Sequence, residues 1–297
     1  MTIPHASAQP RRTQAPGPHP QDGPLSLVFS HANSFALPTY KLLMELLGQR
    51  GIEARGVERF GHDPRFPVTN NWPYLVEQLA EFTRAEVARQ GMPVFLVGHS
   101  LGGLLSIMVA SQHPELARGV LLIDSPLVSG WRANALHVAK RTQLVGSVSP
   151  GKISQRRRNH WPSNAEALAH FSAKKAFAQW HPQVLSDYVQ SGLVDANGRR
   201  ELFFTREVET AIYNSLPHNL QTMLRRQPLR SPAAFIGGRA SVEMRQVGMD
   251  FTQRITRGRV TMLDGGHLFP MERPHATAAA IEASLLNLLA TESSQAR

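Results

Sequence analysis

Residues Gly98-His99-Ser100-Leu101-Gly102 set a serine between two glycines in the spacing G-x-S-x-G. That spacing suits a nucleophile held in a sharp turn between a strand and a helix, where side chains two positions either side of the serine would collide with neighbouring backbone. A serine hydroxyl is a weak nucleophile at neutral pH and needs a base. Of 13 histidines, His267 is the candidate, because Leu263-Asp264-Gly265-Gly266-His267 follows an apolar run. Loops at the carboxyl ends of sheet strands are where catalytic groups collect. His99, next to the serine, must point elsewhere and reads as structural; so does His31, as a residue that fixes its own loop. A third group is needed to hold the imidazole tautomer and stabilise the imidazolium. Asp124, Glu243 and Asp264 are the carboxylates in reach of that role. The plainer reading of Asp124 is an aspartate that caps the following turn.

The elements that must position these groups alternate between short apolar runs and helical patterns, the signature of a mostly parallel sheet covered on both faces. Strands are expected at Leu25–Ser30, Ile52–Val57, Pro93–Val97, Gly119–Ile123, Pro232–Ile236 and Arg259–Leu263. Pro93–Val97 and Gly119–Ile123 are short and free of acidic and basic side chains, as central parallel strands buried on both faces should be. Helices are expected at Leu37–Gln49, from Pro73 to a stop at Gly91, at Leu101–Gln112 and at Ala276–Ala290. The stretch Gln90 to Pro114 has no Asp, Glu, Lys or Arg and would score as a membrane span. Its central glycines, His99 and Ser100 instead make it a buried strand followed by a buried helix.

Between Val128 and Arg230 the alternation breaks, and residues 128–230 read as an inserted helical cap without a convincing buried strand. The core is then 25–127 together with 231–297. Six prolines within residues 1–24 mark a disordered tail; Arg11-Arg12 lacks the apolar segment of an export signal. The 297 residues carry 32 Lys+Arg against 22 Asp+Glu, a net charge of +10. The insertion holds 15 Lys+Arg and 6 Asp+Glu, so the basicity belongs to it and the sheet-forming parts are near neutral. With no cysteine, disulfide frameworks, thiolate nucleophiles and cysteine-ligated metal or iron–sulfur sites are excluded, and a reducing, cytoplasmic compartment is the expectation.

These motifs, across residues 25–290, resemble the α/β-hydrolase family with a cap domain. His31-Ala32-Asn33 after the first strand is similar to the family's oxyanion segment, Gly98–Gly102 to its nucleophile elbow and Gly265-Gly266-His267 to its histidine loop. Two departures stand out: Ala32 occupies a place where the family usually has glycine, and the Pro-rich tail leaves little chain for the usual first two strands. Where many members carry the acid after the cap as Gly-x-x-Asp, this chain has Gly237-Gly238-Arg239-Ala240-Ser241. The resemblance to branches with that ending moves the acid one strand earlier, to Asp124, with Glu243 as the alternative acid and Asp264 third. It also implies oxyanion donors at the backbone N–H groups of Leu101 and Asn33, with Ser34 or the Asn33 side chain as substitutes.

The resulting expectation is a serine hydrolase that needs no cofactor and no metal, acting on a small-molecule ester through an acyl-enzyme on Ser100. Thioesters, lactones, amides and C–C bonds alpha to a carbonyl are the alternative substrates, since the cap sets specificity and fold alone does not. A non-catalytic ligand-binding protein on the same fold is the rival from another class. The basic cap, with Trp131, Trp161 and Trp180, carries no recognised nucleic-acid module. Its arginines read as solvated helix faces, contact with an anionic membrane surface being the second reading, and its aromatics and Met223 as a small core and pocket lining.

Overall fold

Strand β3 (Val94–His99) is buried at all six positions, and its side chains divide between two cores: Phe95 and Val97 on one face, Val94 and Leu96 on the other. That division is the two-residue period of a strand wedged between two helical layers, and it explains why the stretch carries no polar face. The computed structural model of the chain describes residues 25–128 and 154–295. The expected tail at 1–24, residues 129–153 of the expected cap, and Trp131 lie outside the described residues.

Around β3 run β1 (Leu25–Ser30), β2 (Ile52–Arg55), β4 (Ala117–Ile123), β8 (Ala233–Gly238) and β9 (Val260–Leu263), in the order β2-β1-β3-β4-β8-β9. Every pair in this sheet is parallel. The strands coincide with the expected ones to within a few residues. On one face lie α1 (Lys41–Gly48) and the C-terminal helix Pro274–Gln295, which bury Leu43, Leu47, Ile281 and Leu285. On the other lie α2 (Pro73–Gln90) and α3 (Leu101–Gln112), which bury Leu75, Leu79, Leu105 and Ile107. Each such side chain stabilises the fold by roughly 1.5–3 kcal/mol relative to exposure. Helix α2 starts on Pro73 and stops on Gly91, whose φ of 72° suits a residue without a Cβ. No helix among the described residues is long and apolar enough to cross a membrane, and Gln90–Pro114 is a strand followed by a helix, as the sequence implies.

The chain between β4 and β8, where no convincing buried strand was expected, carries three short strands that are partly exposed. β5 (His160–Trp161), β6 (Leu193–Ala196) and β7 (Arg199–Leu202) form a three-stranded antiparallel sheet, ordered β5-β7-β6, among the helices Asn164–Ser172, Pro182–Ser191, Arg206–Asn214 and Leu220–Arg226. These strands are two to four residues long and partly exposed, so they carry none of the continuous apolar runs that betray the central strands. The Asn197-Gly198 turn between β6 and β7 has positive φ at both residues, the chemistry of a tight hairpin. Trp161 and Trp180 pack with Phe171, Phe177 and Tyr188, while Met223 packs against the core on the other side of the sheet. Several basic residues are structural: Arg200 bonds Asn164 and the Leu193 carbonyl, and Arg206 bonds the carbonyls of Gln155 and Arg157.

Candidate active site

Ser100 stands between β3 and α3 with φ 53° and ψ −115°, a conformation that costs a residue with a side chain about 1–3 kcal/mol. The turn is over-determined by its surroundings: the Ser100 N–H donates to the Ile123 carbonyl at 2.9 Å, and the Ser125 hydroxyl donates to the Ser100 carbonyl at 2.8 Å. A Cβ on Gly98 would overlap the Gly102 carbonyl, and one on Gly102 would overlap the Ser30 carbonyl at the end of β1. Both glycines of the motif are therefore demanded by close backbone approach.

His267 follows β9 in a loop turned by Gly265, whose φ is 138°, and pinned by the Glu272 carboxylate accepting the Gly266 N–H at 3.2 Å. Its Nε2 lies 3.0 Å from Ser100 Oγ and its Nδ1 lies 2.6 Å from Asp124 Oδ2. These contacts fit a ring that donates from Nδ1 and accepts the serine proton at Nε2. Asp124 follows β4 with φ 44° and is fully buried. Its Oδ1 accepts the Gly238 N–H at 2.8 Å, and its Oδ2 accepts the Ser241 hydroxyl at 2.6 Å beside the His267 bond.

The other carboxylates stand differently. Glu243 Oε2 is 3.8 Å from His267 Nδ1, beyond hydrogen-bond reach, and its side chain is nearly half exposed. Asp264 points to solvent and pairs with Arg239. Asp124, Glu243 and His267 offer ligand-type atoms within 4.8 Å of one another. A cation there would compete with the Nδ1–H that Asp124 accepts. Ser241, at the place where many members of the resembled family carry an aspartate, donates to the Asp124 carboxylate, and the sequence reading missed this contact.

The two flanking histidines are neutral fixtures. His99 is fully buried, and desolvation together with nearby His267 pushes its pKa down to about 3. Its Nε2–H donates to the His267 carbonyl at 2.9 Å, and its Nδ1 accepts the Tyr40 hydroxyl at 2.7 Å. The Tyr40 oxygen in turn accepts the Ala32 N–H at 3.1 Å. One chain of hydrogen bonds thus ties the histidine loop, the elbow and the loop after β1. His31, pushed down to about 4 by burial, donates from Nδ1 to the Ala32 carbonyl and accepts the Phe60 N–H at Nε2. In that loop the positive φ falls on Ser34, at 77°, and not on Ala32, so alanine is accommodated where glycine was expected.

Leu101 opens α3, where the first backbone N–H groups have no intrahelical acceptor, and Asn33 lines the same cavity as Ser100. The two side chains considered as substitute oxyanion donors are engaged elsewhere. Asn33 Nδ2 donates to the Glu209 carbonyl at 3.1 Å, and the Ser34 hydroxyl is hydrogen-bonded to the Glu209 carboxylate and to Tyr213. The cavity holds about 740 Å³. Phe35, Phe177, Val242 and Leu268 give it an apolar wall; Arg157, Glu209 and Tyr213, from the insertion, give it a polar one. None of these three was named from sequence as a site residue, although Glu209 and Tyr213 are four residues apart on one helix and so share a face.

Comparison with known proteins agrees with the fold. A family model described as the alpha/beta hydrolase family matches residues 27–280. The chain is 29% identical over 136 residues to a monoglyceride lipase homolog of monkeypox virus, a match covering 43% of this chain and 47% of that protein. It thus spans about half the length of that curated relative. Among solved structures, E-2-(acetamidomethylene)succinate hydrolase superposes with a TM-score of 0.65 at 22% identity, covering 89% of this chain and 92% of that one. The thioesterase domain from the curacin biosynthetic pathway gives the same TM-score at 17% identity, covering 86% and 90%. At these identities the structural likeness is one of fold.

Proposed function

The chain belongs to the alpha/beta hydrolase family, and on that premise we propose that it is a serine hydrolase of carboxylic esters, with Ser100 as nucleophile, His267 as general base and Asp124 as the acid that orients it. The observation that carries this reading is the continuous line from Ser100 Oγ through His267 to Asp124, at 3.0 and 2.6 Å. Ser100 Oγ attacks the ester carbonyl carbon while His267 Nε2 takes its proton; Asp124, buried and supplied with two further donors, stabilises the imidazolium. The tetrahedral oxyanion is met by the N–H groups of Leu101 and Asn33, the first aided by the positive end of the α3 dipole. Collapse expels the alcohol, which leaves with the proton from His267. A water activated by the same imidazole then releases the acid and restores the serine. Side chains and water supply every atom and proton that this sequence requires. An ester is the substrate class that the viral relative's name supports, and the apolar wall suits an acyl chain. The insertion acts in this reading as the cap that completes the pocket.

A fluorophosphonate tests the mechanism directly. The expected result is a single covalent adduct on the peptide containing Ser100, formed at a rate that falls with histidine modification, together with turnover of short-chain esters. A folded protein that hydrolyses esters yet carries the adduct elsewhere, or one that neither reacts nor turns over, overturns it.

A further inference from the structure

The polar wall of the cavity is built from charge but left incomplete. Arg157 Nη2 lies 3.0 Å from Glu209 Oε2, so the two charges offset each other. Yet the pair is not aligned for a hydrogen bond, and Glu209 Oε2, Arg157 Nε and Arg157 Nη2 are buried without a hydrogen-bond partner. Asn33 Oδ1 is in the same condition. Glu209 is 4% exposed and Asn33 6% exposed, and both line the cavity that contains Ser100. Tyr213, one helical turn beyond Glu209, reaches the same spot through Ser34. Buried polar atoms are nearly always paired, and a group of orphans on residues that line one cavity calls for an occupant that supplies both donors and acceptors.

A carboxylate or phosphate supplies acceptors only and would meet Glu209, while an ammonium supplies donors only and would meet Arg157. A hydroxyl is donor and acceptor at once and carries no charge that either partner repels. We propose that Asn33, Arg157, Glu209 and Tyr213 form a subsite for a neutral, hydroxyl-bearing group of the substrate beside the scissile ester, with the acyl chain against Phe35 and Phe177. This deepens the reading of Ser100 as an ester-cleaving nucleophile and rests on it. Hydroxyls on the alcohol side and hydroxyls on the acyl side share this chemistry, and the experiment separates them.

Three substrates are compared on the full-length chain: propyl octanoate, 1-octanoylglycerol, which differs from it only by two hydroxyls on the alcohol, and propyl 2-hydroxyoctanoate, which carries the hydroxyl on the acyl side. The expected result is a kcat/KM at least about 10-fold higher for one hydroxylated ester than for propyl octanoate, because a site built to pair hydroxyls discriminates strongly against their absence. In the double variant R157M/E209L, which removes both charges together and leaves no lone one buried, that ratio should fall towards one. Tyr213→Phe, which deletes a single hydroxyl, should lower the same ratio about 3-fold and carries the test if the double variant does not fold. A ratio near one for both hydroxylated esters in wild-type protein that cleaves propyl octanoate overturns the subsite and spares the nucleophile. Absence of turnover on all three, with no fluorophosphonate adduct on Ser100, removes the underlying reading instead.

Discussion

Two buried carboxylates, Asp124 behind the His267 ring and Glu209 in the wall of the cavity, are treated in opposite ways. Asp124, at the end of β4, has both oxygens occupied: a backbone N–H on one, a serine hydroxyl and an imidazole N–H on the other. Glu209, on an insertion helix, is almost as deeply buried, yet one of its oxygens has no hydrogen-bond partner, and desolvation raises its pKa above the ordinary carboxylate range despite Arg157. A carboxylate supplied with donors has its charge and position fixed before any substrate arrives, which is what electrostatic catalysis needs. A carboxylate short of donors is held at a cost that a bound group can relieve. The sheet edge is finished as machinery, whereas the insertion side is finished only by its ligand.

The largest effect expected is at the finished carboxylate. Asp124→Asn keeps the shape but presents an amide to His267, and turnover should fall on the order of 10³–10⁴-fold, the scale of losing the correct tautomer in such triads. Glu243→Gln, 3.8 Å from the same nitrogen but unbonded, should stay within about 3-fold of wild type. Kinetics of both variants on one ester decide the matter; the reverse ranking would move the acid to the far side of the insertion.

The same contrast explains what could be read from the sequence. The elbow, the six-stranded sheet and the convergence of Ser100, His267 and Asp124 on one edge were legible, because each depends on local signals: apolar runs of strand length, glycines at close approaches, and residues placed where those runs stop. Among the candidate carboxylates Asp124 was preferred through the resemblance that the serine at 241 carries, but the donor role of that serine was not legible, since a hydrogen bond spanning 117 positions leaves no periodic trace. Tyr40 was hidden for the same reason: its link to His99 joins elements 59 residues apart. The insertion was the least legible part. Its strands are too short and too exposed to make a pattern, and its charge total concealed that Arg157 turns inward to Glu209 while neighbouring Arg158 stays at the surface over Trp161.

A smaller effect, in stability, tests how dry the finished side is. His99 and His31 are held near 3 and 4 in the fold against 6.5 in the unfolded chain. Between those values the unfolded state binds more protons, so stability is full above about pH 6.5 and declines as the pH falls towards 4. For fully buried groups displaced this far, the combined loss is on the order of a few kcal/mol. Urea midpoints measured from pH 8 to pH 4.5 should drop accordingly, and His99→Asn should flatten part of the slope. A midpoint unchanged across that range would mean that these imidazoles are far more hydrated than their surroundings imply.

The finest test weighs a single hydroxyl. In Ser241→Ala the carboxylate of Asp124 loses its 2.6 Å donor, and the Met244 N–H loses the side-chain cap that Ser241 also provides. Each neutral hydrogen bond contributes about 1 kcal/mol net, and one to a charged group about 1.5–3 kcal/mol. The cap contributes only to stability, so an alanine acting through it alone would lower the urea midpoint and leave kcat where it was. Acting through Asp124, it should instead lower kcat about 10-fold with little change in KM, because the imidazolium forms only on the way to the transition state and a less well-held carboxylate stabilises it less there. Ser241→Thr restores a hydroxyl at the same position and should recover most of that loss. A drop in stability with kcat intact would leave Ser241 as a helix cap only, and the completeness of Asp124's shell would then rest on Gly238 and His267 alone.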